Sequence, residues 1–137
     1  MHVFFDSSAL AKRYIKEKGS EQVNEIFAKA TTIFVSIICL PEIFSALNRF
    51  QREQKINHDQ YTQIKESLRH DFKDFSVCDL TPVVIEKSIL ILERFPLRTM
   101  DALHVACAMQ VETELFVTGD KKQTMASQKS HLKTLFI

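Results

Sequence analysis

Val3-Phe4-Phe5-Asp6-Ser7-Ser8 opens the chain with three apolar residues that stop abruptly on an acid and two hydroxyls. A run this short, bounded by residues that start helices, reads as a buried strand passing at once into a helix near Ser8. The same order returns late in the chain, where Leu115-Phe116-Val117 runs into Thr118-Gly119-Asp120 and then a last short helix. Between these two, Thr32–Ser36 is rich in β-formers and Ser76–Cys78 reads as a short strand. Leu135-Phe136-Ile137 closes the chain as an edge strand.

The intervening segments carry helical periodicity. Val23, Ile26, Phe27 and Ala30 mark a helix over residues 20–30. Pro41 suits the first turn of a helix whose apolar face is Ile43, Phe44, Leu47 and Phe50. Asn57 caps a helix signalled by Tyr61, Ile64, Leu68, Phe72 and Phe75. Thr81-Pro82 reads as N-cap plus first helical residue, followed by Ile85, Ile89 and Leu92 on one face. Pro96 breaks that helix, and another starts near Thr99 and runs to about Val111. Short apolar strands alternating with helices predict a three-layer α/β/α sandwich around a mainly parallel sheet. A single domain over residues 1–137 is expected, because two would each struggle to bury a core.

Composition narrows the classes of function. With 45% hydrophobic and 26% charged residues the chain is ordinary for a globular protein, and its eleven Phe and absent Trp predict a Phe-filled core. Two Gly leave little material for a glycine-built phosphate cradle. The formal net charge of +1 gives no global attraction to a polyanion, so any such binding must use local basic faces. The longest apolar stretch is far shorter than the roughly 18 residues of a membrane span, and residues 1–5 are too few for a signal peptide. Cys39, Cys78 and Cys107 are scattered, which predicts reduced thiols buried as small core residues and a cytoplasmic location. Five histidines form no zinc-like spacing with them.

Four carboxylates stand out by placement. Asp6 and Asp120 follow strand runs, while Glu42 and Asp101 lie in first turns of helices. In a parallel α/β fold both kinds of position face the carboxyl ends of the strands, where ligands collect. Each acid also has a plain structural role: Asp6 as a cap, Asp120 as a turn residue, Glu42 and Asp101 as complements to a helix dipole. Together they form a set that repels itself unless a cation sits among them. Oxygen-only ligands point to Mg²⁺ or Mn²⁺, and the matching chemistry is metal-assisted phosphodiester hydrolysis. Ser7 and Thr118 flank the acids and are candidates to orient a carboxylate from behind, with capping and turn formation as their alternative roles.

Phe5-Asp6-Ser7-Ser8-Ala9-Leu10 and Pro41-Glu42-Ile43-Phe44-Ser45-Ala46-Leu47 resemble the opening half of a PIN-domain, VapC-type toxin. Arg98-Thr99-Met100-Asp101-Ala102-Leu103-His104-Val105-Ala106 resembles the third motif of that family, and Phe116-Val117-Thr118-Gly119-Asp120 its fourth. No one of these is specific; four in order, across almost the whole chain, are. The resemblance implies an endoribonuclease in which Asp6, Glu42, Asp101 and Asp120 bind metal and catalyse, RNA as substrate, a cognate antitoxin that blocks the site, and a homodimer. One departure matters: where many members place a further acid after the fourth motif, this chain has Lys121-Lys122-Gln123-Thr124, so one bound metal is expected.

His104 falls one turn after Asp101 and is read first as a packed helical residue, with approach to the site as the other possibility. Arg13 and Arg49, each on a helix that starts beside a proposed ligand, are the leading candidates to hold RNA phosphates; a solvated face is the alternative. A phosphoacceptor signalling domain would need an acidic pair after the first strand, and an aspartate-nucleophile phosphatase a second acid where Ser8 stands. The remaining rival is a PIN fold kept as a non-catalytic RNA-binding or assembly module.

Overall fold

The computed structural model describes residues 1–137. Its elements run β1 (His2–Phe5), α1 (Ser7–Tyr14), α2 (Ser20–Lys29), β2 (Thr32–Ser36), α3 (Cys39–Arg52), α4 (His58–Phe72), β3 (Ser76–Cys78), α5 (Pro82–Arg94), α6 (Thr99–Gln110), β4 (Leu115–Thr118), α7 (Lys121–Lys129) and β5 (Thr134–Phe136). The strands form one sheet in the order β3-β2-β1-β4-β5, parallel throughout. In register, Phe4 lies opposite Phe34 on β2 and Phe116 on β4.

Alternation along the strands divides the core in two. Val3, Phe5, Ile33, Val35, Leu115 and Val117 pack against α1 to α4, joined by Leu10, Ile43, Leu47 and Leu68. Phe4 and Phe116 face the other way, onto α5 and α6. Their rings stack with centroids 5.7 Å apart. Because both faces of β1 are covered, Val3, Phe4 and Phe5 are all fully buried, which is why they appear in sequence as a continuous apolar run.

Local chemistry sets the ends of the helices. Asp6 caps α1, accepting from the Ala9 amide at 2.9 Å. Asn57 and Gln60 form a reciprocal capping box at α4. Thr81 caps α5, with Pro82 at its first position. Pro41 falls in the first turn of α3, where a missing N–H costs nothing.

The face of α5 differs from expectation. Val84, Ser88 and Ile91 turn inward, while Ile85 and Ile89 are exposed. The helix is apolar on nearly every side, so periodicity had no polar face from which to choose the buried one. By contrast α6 is buried continuously from Asp101 to Ala108; its alanines let it lie close between its neighbours.

Candidate active site

β1 is flanked by β2 and β4, and the chain winds outward from it in both directions, toward β3 and toward β5. The carboxyl ends of β1 and β4 therefore border a crevice, the usual ligand position in such sheets. The last residues of these strands and the first turns of α3 and α6 decide what lines it.

Asp6 is fully buried at the end of β1. Its carboxylate accepts from Ser8 Oγ at 2.8 Å, from the Ala9 amide at 2.9 Å and from Thr118 Oγ1 at 2.5 Å. All three donors are neutral, and no cationic side chain pairs with it. Burial raises its pKa above the ordinary aspartate value, against the opposing pull of the His104 charge and the hydrogen bonds from Thr118, Ala9 and Ser8. Thr118 also accepts from the Asp120 amide at 3.0 Å, and Ser8 from the Gly119 amide at 2.9 Å, so the ends of β1 and β4 are latched through Asp6.

Glu42, in the first turn of α3, accepts on Oε1 from Ser7 Oγ at 2.8 Å and contacts His104 Nε2 at 2.5 Å. Burial pushes this carboxyl up, but the hydrogen bond and charge of His104, with help from Ser7 and Arg98, bring it below its ordinary value. Nε2 must carry the proton to face a carboxylate, and His104 Nδ1 is then left buried without a partner.

Asp101, in the first turn of α6, accepts on Oδ1 from Gln123 Nε2 at 3.1 Å, and its Oδ2 lies 3.5 Å from Arg98 Nε. The other amide atom of Gln123, Oε1, is buried and unpartnered. Asp120 caps α7 through the Lys122 amide at 2.7 Å, and shares an open cleft with Arg98, Asp101, Lys121 and Lys122.

The four acids thus stand along one rim: Ser8 and Thr118 hold Asp6, Ser7 and His104 hold Glu42, and Gln123 joins Asp101 to Asp120 through its side-chain and backbone amides. No three carboxylate, imidazole or thiol groups come close enough to hold a metal ion in this arrangement. The donor chemistry nevertheless fits a hard divalent cation: the ligand atoms are oxygens, and the Asp6 carboxyl group is sealed from water with no counter-charge in contact.

Of the two arginines singled out in the sequence, Arg13 is already engaged. Its Nε donates to Asp71 at 3.0 Å, its Nη1 donates to Asn24 at 3.0 Å, and its guanidinium lies 3.7 Å from the Phe27 ring centroid. It borders a separate cleft with Tyr14, Asn24 and Asp71, which none of Asp6, Glu42, Asp101 and Asp120 lines. Arg49 is exposed on the last turn of α3, about 10 Å along the helix from Glu42. Among the contacts that no local pattern in the sequence marks are Arg98 and Gln123 on Asp101, Ser8 on Asp6, His104 on Glu42 and Asp71 on Arg13. In the sequence Gln123 is legible only as one of four residues standing where a further acid is expected.

The family model described as PIN domain matches residues 3–127. No curated protein sequence matches the chain. Several solved structures share the fold. FitAcB from Neisseria gonorrhoeae is 14% identical with a TM-score of 0.75, covering 98% of this chain and 96% of that one. VapC20 from Mycobacterium tuberculosis, described as a Sarcin-Ricin loop cleaving toxin, is 18% identical with a TM-score of 0.70, covering 90% and 94%. VapBC2 from Rickettsia felis, bound to a DNA fragment from their promoter, is 15% identical with a TM-score of 0.71, covering 99% and 98%. At these identities the likeness is one of fold.

Proposed function

Since the chain belongs to the PIN domain family, we propose that it is a divalent-metal-dependent endoribonuclease, the toxin half of a toxin–antitoxin pair. The observation that carries this reading is the buried Asp6 carboxylate, with no cationic side chain in contact, on a rim shared with Glu42, Asp101 and Asp120. These four acids would hold Mg²⁺ or Mn²⁺. Such an ion, when bound, lowers the pKa of a water and offsets charge on the scissile phosphate.

The remaining groups bind and orient. Thr118 and Ser8 fix both oxygens of Asp6, and Ser7 with His104 fixes Glu42. Gln123 fixes Asp101 from behind. Arg98, whose side chain is 87% exposed, and Lys121 and Lys122 border the acids and supply cations for the phosphates on either side of the cleaved bond. Arg98→Gln is accordingly expected to raise the KM for RNA about tenfold, the scale of one charge-assisted contact, with a smaller change in kcat. Steady-state kinetics on a defined oligonucleotide read this directly.

That a structure of similar fold from Klebsiella pneumoniae is a toxin–antitoxin complex supports an antitoxin partner. A homodimer would cover the apolar side chains that α5 leaves bare, Val83 and Leu90 foremost at 55% and 59% exposure.

Cleavage of a mixed RNA pool by purified protein, with Mg²⁺, with Mn²⁺ and with EDTA, tests the proposal. Cleavage that needs metal and stops with EDTA is expected. Well-folded protein that binds RNA but cuts none of it with either metal would overturn the enzyme reading in favour of a binding module.

A further inference from the structure

Resting on the ribonuclease reading, we propose that the exposed face of α4, continued by the end of α3, is a docking strip for the RNA backbone outside the cleavage centre. Lys65, Arg69 and Lys73 follow one another at intervals of four residues, one helical turn apart, and all three are exposed. Together with His58 and with Glu66, the one acid in its lining, they border an open groove along α4. Arg49 adds a further exposed cation from α3. None of Arg49, Lys65, Arg69 and Lys73 is paired with a carboxylate anywhere in the fold.

Two of these cations lie over aromatic rings. Arg69 is 5.3 Å from the centroid of Phe44, and Arg49 is 5.4 Å from that of Phe50. The ring holds one face of each guanidinium and leaves its edge open for phosphate oxygens. Phe44 is two residues from Glu42 on α3, so Arg69 brings the row to the helix that carries a rim acid. Cations repeated at a regular turn spacing suit a partner with one negative charge per repeating unit, which describes a nucleic-acid strand better than an acidic peptide. In a chain whose net charge is only +1, a local strip of this kind is what an electrostatic grip on RNA requires.

The test uses full-length protein carrying Asp6→Asn, so that bound RNA survives. Affinity for a long RNA oligonucleotide is measured over a range of salt, with and without the triple change Lys65→Gln, Arg69→Gln, Lys73→Gln. A control triple, Arg94→Gln, Lys129→Gln, Lys133→Gln, removes the same charge from exposed positions on other elements. The strip variant is expected to bind at least about tenfold more weakly at low salt, and its log–log salt slope to fall by roughly 2 to 3, since each lost phosphate contact removes about 0.7 to 0.9. The control triple should change neither quantity appreciably. Equal losses in both variants, or an unchanged slope in the strip variant, would overturn the proposal. A strip variant that keeps its RNA affinity but no longer binds an acidic peptide would overturn it in favour of a protein-docking surface. If unmodified protein cuts RNA while the strip variant binds normally, only the strip is wrong; if unmodified protein cuts nothing, the nuclease reading itself fails.

Discussion

Asp6→Asn is expected to reduce metal-dependent RNA cleavage about a thousandfold or more, while making the metal-free protein more stable. The first part follows from removing a charged ligand from the centre; a thousandfold corresponds to about 4 kcal/mol of transition-state stabilisation. The second part follows from burial. The folded-state pKa of Asp6 is raised, so the folded chain holds a proton that the unfolded chain has already released. The stabilisation due to that proton is complete below the unfolded-state value and is lost as pH rises through the folded-state value. At neutral pH the ionised carboxylate therefore works against the fold, and asparagine removes the charge while keeping an oxygen for the Ala9 amide. A gain of about 1 kcal/mol, near 4 °C in Tm, is expected in EDTA, and the difference from unmodified protein should shrink toward acid pH. A clear loss of Tm with cleavage intact would contradict both halves.

Phe116→Ala should do the reverse. Phe116 is fully buried in the centre of β4, stacked on Phe4 and packed on the α5/α6 side of the sheet. Truncating it leaves a cavity between two parallel strands that cannot close, at a cost of about 3–5 kcal/mol. Against a total stability of roughly 5–15 kcal/mol, that is enough to unfold much of the protein at physiological temperature. Urea unfolding should show the midpoint falling sharply, while activity per folded molecule stays near that of unmodified protein at low temperature. An equal loss of activity in fully folded protein would mean that Phe116 shapes the rim directly.

The sequence displayed best what depends on neighbours close in the chain. The capping role of Asn57, the Thr81-Pro82 start of α5 and the buried run of β1 each arise within a few residues, and each is found in the fold. So is the placement of Glu42 and Asp101 in first turns. What was hidden depends on pairs far apart. The partner of Glu42 is His104, 62 positions away; Arg13 is drawn to Asp71, 58 positions away; Gln123 reaches back 22 positions to Asp101. Charge and spacing made Arg13 a fair candidate for a phosphate contact, but no local pattern reveals that an acid on α4 already faces it. At α5 the difficulty was of another kind. When nearly every side of a helix is apolar, the sequence carries no signal for which side turns inward.

The three cysteines give the molecule a set of internal clocks. All are buried, and burial pushes the Cys39 and Cys107 thiols up to about 12. Alkylating reagents attack the thiolate, so at neutral pH these sulfurs are almost silent until the surrounding structure opens to water. They sit in three different elements: Cys39 at the start of α3, Cys78 at the end of the edge strand β3, and Cys107 inside α6. Labelling each in turn would time how often that part of the protein breathes, with β3 ticking fastest and the enclosed α6 slowest. An antitoxin or an ion that grips the rim would then be seen as a slowing of the Cys39 clock, without any need to follow catalysis.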